Sequence, residues 1–174
     1  DMNPRPNFHD LRGMTEVART FAAAVQRGER ILLIAGPGDG ATALAQRAVG
    51  LLPKVVVPSS EARAIDAIRE AGGFEHQEPR RPFRAPHHSV SSAGVFGFIR
   101  RGTDDEGNAF KRSAPGELEL AKHGVLLLGE VTEFRRSVVE AIGYRIDSTT
   151  TLITVAPPCP CGMANQPRAT SRCY

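Results

Sequence analysis

Tryptophan is absent from the 174 residues, tyrosine occurs twice, and the three cysteines all fall within the last 16 positions. Cysteines so few and so clustered do not make the disulfide framework of a small secreted scaffold, so a cytoplasmic protein is the default expectation. No apolar run approaches the roughly 18 residues that a membrane helix needs. The opening Asp1-Met2-Asn3-Pro4 lacks the pattern of a signal peptide. Internal repeats and low-complexity tracts are missing as well, which argues against a solenoid or a disordered chain. Charge of one sign is not in excess: 22 Lys and Arg against 19 Asp and Glu leave a formal net charge of +3 and a pI near 9.0. A strongly basic nucleic-acid module is not indicated by that balance alone.

The hydrophobic fraction, 41%, is ordinary for a globular protein, and the length suffices for one domain with a core. Met14 to Gln26 carries Val17, Phe21 and Ala24/Val25 at helical spacing, with Gly28 as a stop signal. Ile31 to Ala35 is a continuous apolar run, which predicts a strand buried on both faces of a parallel sheet. A glycine-rich turn follows, and Thr42 to Leu52 reads as a helix with Leu44, Ala45, Ala48 and Leu51/Leu52 on one face. Strand, tight turn and helix open a nucleotide-binding α/β unit. Beyond it, Lys54–Val57 predicts a brief strand, Ser59 to Ala71 a helix, and Gly73 to Pro86 a polar surface segment. Arg100 to Arg112 predicts a mobile hydrophilic insert. Val125–Leu128 predicts a second buried strand, Arg135–Ile146 a helix facing inward through Val138/Val139, Ile142 and Ile146, and Thr149–Ala156 a third strand.

The turn itself is a near miss to the phosphate loop G-x-x-x-x-G-K-[S/T]. In that pattern backbone N–H groups wrap phosphates, Lys reaches the β and γ oxygens, and the hydroxyl holds Mg²⁺. Anchored on Gly40 and Thr42, the segment is Ala35-Gly36-Pro37-Gly38-Asp39-Gly40-Ala41-Thr42. The second glycine and the hydroxyl are present; Ala35 replaces the first glycine and Ala41 the lysine. Asp39 adds a negative charge where phosphates would sit. A tight strand-to-helix turn that merely needs glycines explains the loop alone equally well.

Three further segments are more specific: Arg81-Pro82-Phe83-Arg84-Ala85-Pro86-His87-His88-Ser89; the run from Pro115-Gly116-Glu117 through Lys122-His123-Gly124 to Leu128-Gly129-Glu130, with Glu133-Phe134; and Pro158-Cys159-Pro160-Cys161-Gly162. In that order they resemble the magnesium-chelatase/ComM family of AAA+ ATPases, and Asp10-Leu11-Arg12-Gly13 is similar to the family's entry to its first helix. The likeness covers nearly the whole chain. It implies a three-layer α/β/α P-loop NTPase core with a mostly parallel sheet, residues 1–174 forming a single domain without the C-terminal lid. The chain begins at Asp1 and stops at Tyr174 in mid-element, which predicts a fragment.

The resemblance also implies a site: Gly36, Pro37, Gly38, Asp39, Gly40, Ala41 and Thr42 about the nucleotide, and Glu130 as the residue that orients the attacking water. Three functional positions depart from the family. Ala41 stands for the lysine, Gly129 for the metal-binding aspartate and Pro157 for the sensor asparagine. Pro offers neither a side-chain amide nor a backbone N–H. ATP and Mg²⁺ binding is therefore expected to be weakened, and Glu130 retains at most a residual catalytic role. The expected function is a degenerate module that scaffolds or regulates assembly, as a homo-oligomeric ring or beside a partner AAA+ subunit. The alternatives are an active ATPase coupled to DNA remodelling or metal chelation, and a DNA-binding module independent of nucleotide. The short stretch around Asp147-Ser148 replaces the family's pre-sensor hairpin, which puts DNA translocation in doubt.

Cys159, Cys161 and Cys173 are similar to the family's cysteine cluster, yet a tetrahedral zinc site takes four ligands and Ser171 stands where another cysteine would be; zinc is not expected. His87 and His88, adjacent on an extended chain, are expected to point to different sides in a structural role. Lys111-Arg112 and Arg80-Arg81-Arg84 could touch DNA phosphates, against the plainer reading of a solvated surface.

Overall fold

The computed structural model describes residues 8, 11, 13–36, 38–52, 81–103 and 106–159. The expected strand and helix at 54–71 and the residues Pro37, Cys161 and Cys173 lie outside them. Helix α1 (Thr15–Gln26) leads to β1 (Ile31–Ile34), then α2 (Ala41–Gln46), α3 (Ala48–Leu51) and β2 (Phe83–Arg84). Helix α4 (Ser92–Phe96), strands β3 (Phe98–Thr103) and β4 (Ala109–Ala114) and helix α5 (Glu117–Leu120) follow. The chain then forms β5 (Val125–Leu128), a 3-10 turn (Val131–Glu133), α6 (Arg136–Arg145) and β6 (Thr151–Ala156).

Four strands make one parallel sheet in the order β1-β6-β5-β2, pairing Ile31 with Ile153, Val125 with Thr151 and Phe83 with Val125. Parallel strands need crossovers, and the intervening helices bury both faces of the centre. Because side chains alternate along a strand, β5 feeds two cores. Val125 and Leu127 join Phe21 and Val25 of α1 and Leu44, Ala45 and Ala48 of α2 and α3. Leu126 and Leu128 pack with Phe134, Val138, Ile142 and Ile146 on the other side. All four β5 residues are buried, as their continuous apolar run requires. This is the three-layer architecture that the sequence predicts.

Several local expectations are corrected. β1 is buried on one face only: Ile31 and Leu33 pack against α1, while Leu32 is 58% and Ile34 66% exposed. The second-face core built on α6 includes β5 and β6 residues but none from β1, which ends the sheet among the described residues. In α1 the inward residue is Ala18, with Val17 turned to solvent. The helix predicted from Thr42 to Leu52 divides at Arg47 into α2 and α3. Phe83 and Arg84, placed in a surface segment by their proline-rich neighbourhood, form β2 against β5. Most importantly, the segment predicted as a mobile insert is a regular antiparallel hairpin of β3 and β4, with six residue pairs from Phe98–Ala114 to Thr103–Ala109.

The turn that delivers the chain from α6 into β6 is built on Asp147. Its Oδ1 accepts from the Thr149 amide (2.9 Å), the Thr149 hydroxyl (2.5 Å) and the Thr150 hydroxyl (3.3 Å). Partial desolvation pushes this carboxyl up, but the hydrogen bonds from Thr149 and Thr150 and the charge of Lys122 outweigh it and hold the pKa below the usual aspartate value. A depressed folded-state pKa contributes stability above the unfolded-state value and loses it as pH falls through the folded one. Asp147→Asn is therefore expected to cost under about 1 kcal/mol at neutral pH, since the group is largely solvated. The gap to the parent should close below roughly pH 4, as denaturant melts across pH will test.

Candidate nucleotide pocket

The carboxyl ends of all four parallel strands open into one crevice, the place where open α/β sheets bind ligands. A cavity of ≈ 710 Å³ lies there. Its walls come from the loop after β1 (Ala35, Gly36, Gly38, Gly40, Ala41, Thr42), the loop after β2 (Ala85 to His88), Gly129 and Glu130 after β5, and Ala156-Pro157 after β6. Residues scattered over more than a hundred positions, predicted separately from three motifs, thus meet at one site.

The loop after β1 turns because Gly38 (φ +87°) and Gly40 (φ +83°) take left-handed conformations that side chains disfavour. Asp39 does not line the cavity. It folds back, and its Oδ2 accepts a hydrogen bond from the Gly36 amide at 2.7 Å, a short charge-assisted contact. The loop therefore carries its own anion on one of its backbone donors. Ala41 and Thr42 begin α2, whose Leu44 and Ala45 anchor in the core.

Across the cavity Glu130 sits at φ 52°, ψ 52°, a left-handed backbone that costs a non-glycine residue roughly 1 kcal/mol or more. Its side chain is 74% exposed, and its Oε2 is 3.7 Å from Nδ1 of His88. The expectation that His87 and His88 diverge is wrong. Their ring centroids are 3.9 Å apart at 37°, both line the cavity, and His88 also meets Phe134 edge-on. Sequence reasoning missed them as pocket residues because an extended-chain rule was applied where the chain turns at His88-Ser89. Glu133 and Thr132 complete the wall. Among the described residues the lining contains no lysine or arginine.

Two of the basic residues considered for DNA contact have other work. Arg84 makes a bidentate pair with Glu117 (2.6 and 2.7 Å), and that hydrogen-bonded carboxylate raises the guanidinium pKa. Arg81 donates from Nη1 to the His123 carbonyl at 3.0 Å. Arg80 lies outside the described residues. Cys159 is half-buried, and no group of three or more His, Cys, Asp or Glu suited to a metal ion occurs among the described residues. Among those residues, too, no helix is long and apolar enough to cross a membrane.

A parallel sheet flanked by helices, with a glycine loop after its first strand and an acidic residue after a buried neighbour, defines the P-loop NTPase class of fold. Solved structures agree. NtrX from Brucella abortus, in complex with ADP, superposes with a TM-score of 0.50 at 16% identity, covering 84% of this chain and 30% of that one. The model of the family described as magnesium chelatase, subunit ChlI, matches residues 7–153, and the chain belongs to that family. Relatives include YifB of Escherichia coli, 36% identical over 143 residues, and the competence protein ComM of Haemophilus influenzae, 32% identical over 148. These matches cover 82% and 84% of this chain but 26% and 27% of those proteins, so the chain spans about a quarter of the length of the relatives.

Proposed function

We propose that this chain is a ChlI/ComM-type AAA+ module whose nucleotide site has become degenerate, and that it acts as a scaffold or regulatory domain in an assembly rather than as an ATPase. The observation that carries the reading is electrostatic. A triphosphate needs fixed positive charge, and among the described residues the lining holds none: Ala41 stands at the lysine position, and Asp39 already occupies the Gly36 amide. At the metal's place Gly129 supplies no carboxylate, and at the sensor's place Pro157 supplies no amide. The residues present do not fit Mg·ATP. Loss of a single transition-state charge partner commonly costs on the order of 10² to 10⁵ in rate, and three separate roles are gone.

Calorimetric titration with Mg·ATP and a phosphate-release assay test this. No saturable binding at millimolar nucleotide and no turnover are expected. Micromolar affinity with turnover would sink the reading in favour of an active ATPase; tight binding without turnover would make ATP a structural ligand.

A second reading, nucleotide-independent contact with DNA, is favoured by the hairpin. Its register sets Arg100 opposite Arg112 and Arg101 opposite Lys111, four exposed cations on two adjacent rungs. Like charges directly opposite one another destabilise a hairpin, and among the described residues no carboxylate pairs with any of the four. On the Arg100/Arg112 face Phe110 lies over Gly102, and Arg112 stands 5.3 Å from the Phe110 ring centroid. Cations beside an aromatic ring are what a single strand engages. Fluorescence anisotropy with labelled single-stranded DNA should give a log–log salt slope of about −2 to −3, for three or four phosphates. The paired variant Arg100→Glu/Arg112→Glu should abolish binding. A slope near zero, or an unaffected variant, removes this reading.

A further inference from the structure

The crevice at the carboxyl ends of the strands has a sign of its own. Glu130 and Glu133 line the 710 Å³ cavity, and among the described residues no lysine or arginine does. The two carboxylates come from one short turn. The Glu133 amide donates to the Glu130 carbonyl at 2.9 Å, and in 3-10 geometry side chains three residues apart lie over one another.

Among the described residues neither carboxylate accepts a hydrogen bond. Glu130 is open to solvent, and Nδ1 of His88, 3.7 Å from its Oε2, lies beyond hydrogen-bond reach. His87 is engaged elsewhere: its Nδ1 is 2.8 Å from the Ser89 hydroxyl and accepts the Ser89 amide at 3.3 Å. Asp39, in the loop after β1, adds a further exposed negative charge, with one oxygen on the Gly36 amide.

The same cavity has apolar wall to offer, from Ala85, Pro86, Leu127, Val155 and Ala156. Like charges gathered in a cleft repel one another, and low-dielectric walls focus their field, which concentrates cations there. A hydrated metal ion gains nothing from apolar walls, whereas a methylene chain leaves water to lie on them. A concave, part-apolar site with a few polar groups of one sign is therefore complementary to a charged organic molecule. We propose that this cavity binds a small organic cation, an aliphatic diamine, with its ammonium groups on Glu130 and Glu133 and its methylenes against the apolar wall. The proposal rests on the reading that the site no longer holds Mg·ATP.

The test is an amide-resonance titration of the ¹⁵N-labelled chain at low ionic strength with putrescine, and separately with butanediol as its neutral match and with MgCl₂ as an inorganic cation. Putrescine is expected to give saturable millimolar shifts at Gly129, Glu130 and Glu133, with butanediol and Mg²⁺ each weaker by about tenfold or more. Glu130→Gln keeps the side-chain shape and should weaken putrescine about fivefold, one net contact to an exposed charge. Should that variant fail to fold, Glu133→Gln serves in its place with a similar loss. No saturable shifts with putrescine, an equal response to butanediol or Mg²⁺, or unchanged affinity in the folded variant would each overturn the proposal. Calorimetry with Mg·ATP separates the two failures. Micromolar nucleotide affinity removes the reading of the site and the diamine with it, whereas a chain that binds neither nucleotide nor putrescine removes the diamine alone.

Discussion

The double variant Ala41→Lys/Gly129→Asp is expected to bind Mg·ATP with micromolar affinity, where the parent chain is expected to give no saturable binding at millimolar nucleotide. That is a gain of at least about 10²-fold, the lower end of what a phosphate-directed charge partner is worth. Both positions line the 710 Å³ cavity, so the new groups would be available to the phosphates and the metal within it. Steric room exists: a Cβ built on Gly129 meets nothing within 4 Å, and Ala41 already carries one in the first turn of α2. Asp39 would still cap the Gly36 amide. Releasing that donor with Asp39→Thr should add a further gain of about tenfold, since a charged hydrogen bond is worth about 1.5–3 kcal/mol and the carboxylate is exposed and screened. Turnover should lag behind binding, because Pro157 still lacks the polarising amide; phosphate release should rise only when Pro157→Asn is added. Calorimetry on the double variant decides the matter. Affinity no better than the parent's would mean that the pocket differs from an active one in more than these groups.

How much of this was legible in the sequence depends on whether the deciding forces were local. The buried strand Val125–Leu128 and the inward face of α6 were, because a continuous apolar run and a helical period encode burial directly. Residues 36, 38, 40–42, 129, 130 and 157 were linked only through the family motifs; nothing local in the chain says that Thr42 and Glu130 share a cavity. The exposure of Leu32 and Ile34 was not legible, since an apolar run reads the same in the middle of a sheet and at its end. The hairpin was hidden for another reason. Arg100-Arg101 and Lys111-Arg112 mask the alternation by which strands are read, and the stacking of Phe110 over Gly102 is a cross-strand fact. The pocket roles of His87 and His88 required knowing that the chain turns there. The anchoring of Arg84 by Glu117, across 33 positions, required the fold itself.

Two glycines flanking β5 separate what the fold requires from what the proposed loss of the metal site predicts. Gly124 is buried where β2 and β5 enter the sheet, and a Cβ on it would lie 2.0 Å from the Pro82 carbonyl oxygen. That oxygen accepts the Val125 amide at 2.9 Å, and the Gly124 carbonyl accepts the Thr151 amide at 2.9 Å. Gly124→Ala therefore cannot be absorbed by a rotamer change; backbone must move, and the rungs joining β2, β5 and β6 lengthen together. The expected cost is about 3 kcal/mol, the upper part of the usual range for overpacking, or a fall in Tm of roughly 6–12 °C for a domain of this size. Gly129 is the opposite case. It has open space around its missing Cβ and no positive φ, so Gly129→Ala should be neutral or stabilising by up to about 1 kcal/mol through the unfolded chain's lost freedom. Paired thermal melts will compare them. Equal destabilisation by the two would mean that Gly129 serves the backbone, and its place in the chain would then be explained by folding. The predicted contrast instead leaves the missing carboxylate without a structural reason, as expected of a site released from the demand to hold a metal.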